Sequence, residues 1–139
     1  LNSKLAGITE ISPWYTQEGG AQSPWGRAII PLEMISVLTQ YSSREAGFHS
    51  RGPAVGLFAD QEIKLFSGPL FVNQAYRLER QIVALSESRR VEANWIMTSV
   101  YDEESGELKA ECLLNSSTLK ASYAKYAEDA AMLGKNLDE

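Results

Sequence analysis

A chain of 139 residues with 44% hydrophobic and 22% charged positions is one ordinary domain with material for a buried core, not a disordered or fibrous chain. The formal charge of −5, with Lys and Arg scattered along the sequence, argues against a nucleic-acid partner, because phosphate binding needs concentrated cations. No apolar run approaches ~18 residues, so no membrane span is expected, and with no signal peptide visible the expected location is cytoplasmic.

The chain opens on Leu1 rather than Met, and its first residues read as the end of an element, so further sequence upstream is expected. Residues 1–30 are loop-rich, punctuated by Ser12-Pro13, Gly19-Gly20, Ser23-Pro24 and Gly26. From Pro31 the pattern changes: Met34, Val37, Leu38 and Tyr41 share one helical face. Pro31 suits a first turn, Glu33 favours the positive end of the dipole, and Gly47 is a natural stop. The spacing predicts a helix over residues 31–46 with those four side chains buried. The single histidine, His49, follows it between Arg44 and Arg51, and with one histidine and no Cys/His cluster no metal site is expected.

Four strands are predicted next. Ile63 and Leu65 alternate with Glu62 and Lys64; Tyr76, Leu78, Ile82 and Ala84 share one parity against Arg77, Glu79 and Gln81. Val91, Ala93, Trp95, Met97 and Tyr101 follow, then Leu108, Ala110, Cys112 and Leu114. Ser67-Gly68-Pro69, Ser86–Ser88 and Asp102–Gly106 connect them, each short enough for antiparallel neighbours. Arg89-Arg90 reads as a solvated strand end. Cys112 lies in an alternating run, where a small buried thiol is the default, and a single cysteine excludes an internal disulfide. Tyr123, Tyr126, Ala127 and Ala130 fall at helical spacing and predict a short terminal helix.

Strands of about 10 to 14 residues exceed the usual length of about 5 or 6 and must coil, with one amphipathic helix available to fill the concave face. The expected fold is therefore α+β: a long central helix wrapped by a curved antiparallel sheet, the hotdog arrangement. A small β-sandwich would not place such a helix ahead of all its strands.

The motifs then carry a resemblance. Ala6-Gly7-Ile8-Thr9-Glu10-Ile11-Ser12-Pro13-Trp14-Tyr15 resembles the A-G-x-T-G-D-x-N-P-x-H signature of MaoC-like hydratases, with one residue fewer. The run from Ala21 to Met34 is similar to the family's small-residue loop entering the central helix, and Phe66-Ser67-Gly68-Pro69-Leu70-Phe71-Val72 to its F-x-x-P turn between strands. The resemblance covers about residues 5–122. It implies enoyl-thioester hydration or 3-hydroxyacyl dehydration by an Asp/His acid–base pair.

Here the pair reads Glu10 and Tyr15. Glutamate keeps the carboxylate, whereas a tyrosine, titrating near about 10, is a poorer proton shuttle than imidazole. The family's His-Gly at the helix entrance, whose glycine N–H polarises the thioester carbonyl, corresponds to Leu32-Glu33. A backbone N–H survives any side chain there, but a glutamate repels a developing negative charge. The resemblance therefore assigns catalysis to Glu10 and Tyr15, and substrate binding to Trp14, Trp25, Leu32, Glu33 and Met34. It implies no cofactor beyond the coenzyme A or acyl carrier protein that carries the substrate, and a homodimer or a hotdog heterodimer as the assembly. Two other outcomes stay open at this point: a non-catalytic subunit paired with a dyad-bearing hotdog, and a thioesterase working through Glu33 on the central helix. His49, with Arg44 and Arg51, is a candidate contact for a coenzyme A phosphate, or a surface histidine.

Overall fold

The computed structural model describes residues 5–48 and 53–135, so His49 and Arg51 lie outside the described residues. A 3-10 turn at Pro13–Tyr15 and the short helix α1 at Gln17–Gly20 precede the central helix α2 at Leu32–Gln40. Four strands follow: β1 at Gly56–Leu65, β2 at Tyr76–Glu87, β3 at Val91–Asp102 and β4 at Leu108–Leu119. A terminal helix, α3, spans Tyr126–Met132, where the spacing of Tyr126 and Ala130 predicts one. Among the described residues no helix is long and apolar enough to cross a membrane.

The strands form one antiparallel sheet in the order β1-β4-β3-β2. β2, β3 and β4 are the expected meander, but β1 pairs with β4, not β2. The connection at Ser67-Gly68-Pro69 is therefore not a turn between neighbours. It opens a crossing segment, residues 66–75, that carries the chain from one edge of the sheet to the other. That segment has its own partners. Ile30 N–H donates to Leu70 O at 2.7 Å, Val72 N–H to Ala28 O at 2.9 Å, and Phe71 bridges Ile29. Leu70 is fully buried, so the crossing doubles as a wall of the core.

The helix packs on the sheet face that carries Leu78, Val100 and Ala110, with Ile35 and Leu70 completing the buried cluster. Two expectations for α2 need correction. It ends at Gln40, not residue 46, and residues 41–47 continue as turns until Gly47 adopts φ +83°. The cause is competition for the last carbonyls: Ser43 Oγ donates to Gln40 O at 2.9 Å, and Arg80 on β2 donates to Thr39 O through Nε and Nη2 at 3.2 and 2.7 Å. The buried face is also turned from the expected one. Met34, Ile35 and Thr39 are buried and Leu38 is partly so, whereas Val37 is 41% and Tyr41 87% exposed.

Each edge strand carries a register shift, which leaves Ala59 of β1 and Val83 of β2 without a partner. Hairpin tips follow local chemistry. Asp102 Oδ1 accepts from Ser105 N–H at 2.7 Å and Glu104 N–H at 3.1 Å, and Gly106 takes φ +71°.

Candidate functional site

The loop that delivers the candidate residues is folded back on itself. Ser12 Oγ accepts from Trp14 N–H at 3.3 Å and starts the 3-10 turn. Thr16 Oγ1 then donates to Pro13 O at 3.0 Å and accepts from Gly19 N–H at 3.1 Å, which starts α1. Two glycines make the fold-back possible. A Cβ on Gly19 would stand 2.1 Å from Pro13 O, and one on Gly20 would stand 2.4 Å from the Ala28 backbone. Ile29 N–H donates to Trp14 O at 2.9 Å. Trp14 and Tyr15 are thereby fastened to the segment that enters α2, and Glu33 occupies that helix's first turn.

Glu10 and Glu33 are placed so that their charges act on the Tyr15 hydroxyl. Partial burial raises the Tyr15 hydroxyl above the ordinary tyrosine range, and the charges of Glu10 and then Glu33 push it further in the same direction. At neutral pH the phenol is therefore un-ionised and able to donate a hydrogen bond. Glu10 and Glu33 are exposed and Tyr15 is half-buried.

The proposed lining residues take different places. Trp14 and Trp25 meet edge to face, with ring centroids 6.1 Å apart and planes at 88°. The Trp25 indole nitrogen passes over the crossing segment, 3.9 Å from where a Cβ on Gly68 would be. Leu32 is exposed beside Glu33, whereas Met34 is buried and belongs to the underside of the helix. Pro31 caps α2 without a side-chain bond, and the first N–H to be satisfied within the chain there is that of Met34, by Pro31 O at 2.9 Å. The N–H groups of Leu32 and Glu33 are the ordinary open donors of a helix start.

Sequence reasoning missed the polar side chains that hold α2 from below. Gln61 Nε2 on β1 lies 3.0 Å from Ser36 Oγ and 3.1 Å from Cys112 Sγ. Arg80 reaches the other end of the helix from β2, and burial lowers its affinity for its proton. Both interrupt otherwise alternating strands on the helix-facing side. That is the signal, but without the pairing it reads as ordinary polar alternation.

A cleft of about 570 Å³ lies elsewhere, between α3 and the far ends of β2, β3 and β4, and none of the candidate residues lines it. Its cations are engaged internally: Lys120 and Lys135 both hold Glu87, at 3.0 and 3.2 Å, and Lys135 also holds Glu92 at 3.3 Å. The titrations shifted in this cleft are those of the same ion pairs, with Glu87 held low by Lys120 and Lys135 and both lysines held high.

By sequence, no family model and no curated protein matches the chain. By structure it is similar to a chain of the C-terminally truncated 3R-hydroxyacyl-ACP dehydratase complex HadBC from Mycobacterium tuberculosis, at 16% identity and a TM-score of 0.67 over 83% of this chain and 82% of that one. It is also similar to the (R)-hydratase of A. caviae involved in PHA biosynthesis, at 15% identity and a TM-score of 0.59 over 83% and 82% of the two chains. A MaoC-like dehydratase from Rhodospirillum rubrum superposes at 14% identity and a TM-score of 0.58, covering 84% of this chain and 80% of that one. Identities this low establish architecture alone, and the architecture agrees with the helix, crossing segment and sheet described above: this chain has the α+β hotdog fold of the MaoC-like dehydratases.

Proposed function

We propose that this chain binds an acyl thioester, carried on coenzyme A or acyl carrier protein, beside Tyr15 and acts on it as a hydro-lyase. The observation that carries the reading is a carboxylate, Glu10, bearing on the un-ionised hydroxyl of Tyr15 at the entrance to α2. Hydration of an enoyl thioester needs a group to take a proton from water as its oxygen bonds to the β carbon. It also needs a proton for the α carbon. Glu10 is the base in this reading: it takes a proton from water as the hydroxyl bonds to the β carbon, and the resulting carboxylic acid delivers that proton to the α carbon, which regenerates the carboxylate. Tyr15 donates a hydrogen bond that orients water or the thioester, and the open N–H groups of the first turn of α2 face the carbonyl oxygen. Solved neighbours that include a 3R-hydroxyacyl-ACP dehydratase complex and an (R)-hydratase support the substrate class by analogy of fold.

One observation favours a second reading, a non-catalytic subunit. Raising the Tyr15 hydroxyl makes it a weaker acid than a free phenol, the opposite of what a proton donor needs. Calorimetric titration with crotonyl-CoA separates the possibilities. Heat of binding together with measurable hydration supports the hydro-lyase. Binding without hydration, cured by combining Glu10→Asp with Tyr15→His, supports the subunit whose pocket lacks only proton transfer. No binding of crotonyl-CoA would end both readings.

The same proposal includes an assembly of two hotdogs. β1 and β2 each present one unpaired edge, and Leu57, Phe58, Ile82, Val83 and Leu85 on these strands are exposed. Pairing edges with a second copy, or with a related hotdog, removes that liability. Light scattering at micromolar concentration is expected to give twice the 15.4 kDa chain mass or an even multiple of it, and a clean monomer would count against the homodimer.

A further inference from the structure

The two edges of the sheet carry the same pair of charges in opposite order. On β1, Glu62 and Lys64 flank Ile63; on β2, Arg77 and Glu79 flank Leu78. Ile63 and Leu78 pack on the core, so by alternation both charged pairs lie on the sheet face away from α2. Lys64 Nζ holds Glu62 at 2.8 Å, with both side chains 57% exposed. Beyond the irregularity at Ala59, β1 keeps unbroken register from Asp60 to Leu65, and Phe66 N–H continues the ladder to Lys109 O at 2.9 Å. Every residue of β1 except Gln61 and Ile63 is exposed, and so is Phe66. On β2 the cation is already engaged: Arg77 lies over the Tyr101 ring at 4.4 Å besides pairing with Glu79.

Residues directly opposite in an antiparallel pair share a face with their Cβ atoms about 5 Å apart, so opposite charges there attract and like charges repel. A second copy laid along β1 about a two-fold axis at Ile63 sets each Glu62 opposite the partner's Lys64, and uses the regular stretch from Asp60 to Phe66 in full. Moving the axis by one residue sets Glu62 against Glu62 or Lys64 against Lys64. A β2 edge laid on β1 with Leu78 opposite Ile63 sets Glu79 against Glu62 and Arg77 against Lys64, which is two repulsions. The order of charges thus selects both the partner and the register. We propose that β1 is an interaction edge for a second copy of this chain, paired antiparallel about Ile63, with Glu62 and Lys64 as its specificity-determining residues. The inference rests on the two-hotdog assembly proposed above and adds which edge, which partner and which register.

Sedimentation of the full chain at micromolar concentration reads the pairing. Lys64→Glu makes the pair wholly acidic and Glu62→Lys makes it wholly basic. Each is expected to weaken self-association by about tenfold or more, because two attractions become two repulsions. Mixed in equal amounts, the two variants are expected to associate with each other as the unaltered chain does with itself, since every charge again meets its opposite. The double exchange, Glu62→Lys with Lys64→Glu, keeps the pair and its symmetry and is expected to dimerise normally, which separates loss of pairing from loss of folding. Arg77→Glu is expected to leave the dimer unchanged. Single variants that dimerise undiminished, or a mixture that does not associate, would overturn the β1 pairing. So would a dimer lost in Arg77→Glu and kept in Lys64→Glu, which belongs to the β2 edge. A monomeric unaltered chain would overturn the two-copy assembly itself, and this inference with it.

Discussion

Replacing Glu10 by glutamine is expected to slow enoyl-CoA hydration by ~100-fold or more, the scale on which a general acid or base contributes. The amide keeps the shape and loses only the ability to take the proton of water. About 3 kcal/mol of barrier returns, because each tenfold in rate is about 1.4 kcal/mol. Glu10 is exposed, so the substitution leaves the core intact and folding cannot account for the loss. Tyr15→Phe is expected to cost less. A hydroxyl held un-ionised orients a partner and transfers no proton of its own, so its removal costs one hydrogen bond. Initial rates for crotonyl-CoA across both variants decide the matter: unchanged rates in both would move the chemistry away from this loop.

The largest stability change is expected at Leu70→Ala. Leu70 is fully buried, packs with Ile35, Val100 and Ala110, and sits on the crossing segment rather than in the sheet. Its own carbonyl is fixed by Ile30 N–H at 2.7 Å, and Val72 and Phe71 are tied to the same incoming chain, so the backbone cannot sag into the space that is opened. A leucine cavity that does not collapse costs about 3–5 kcal/mol, the upper part of the usual range. Val37→Ala, on the exposed side of α2, is expected to change stability by only about 0.5 kcal/mol or less. Urea unfolding of the two variants gives both numbers, and equal losses would mean that α2 buries the face its periodicity suggests.

That contrast shows how far the sequence could be read. Strand positions were legible because alternation such as Ala110, Cys112 and Leu114 against Lys109, Glu111 and Asn115 is local, and all three of the first set are buried. The hotdog class was legible for the same reason: one helix ahead of long strands leaves few arrangements. The crossing was not, because β1 finds β4 across more than forty intervening residues, and nothing in Ser67-Gly68-Pro69 separates a hairpin from the start of a traverse. The face of α2 was not legible because its apolar residues run too far round the helix for periodicity to pick a side. At the candidate site, the nearness of Glu10 and Tyr15 follows from a short loop. The charge of Glu33 bears on Tyr15 because Gly19 and Gly20 let the chain double back onto Ala28, a close backbone approach that no local pattern announces. Gln61 and Arg80 looked like surface alternation until strand pairing turned them toward the helix.

The unpaired Ala59 and Val83 have a consequence for how this protein survives at high concentration. A regular edge offers evenly repeating N–H and C=O groups to any passing extended peptide, which is how ordered fibres grow by templating. A bulge breaks that repeat, bends the strand and reverses which side chains face each way beyond it. On either edge an arriving flat strand can match only the stretch before or the stretch after the irregularity, not the whole strand. The edges thus discriminate, rejecting indiscriminate polymerisation while remaining open to a partner whose own contour accommodates the kink.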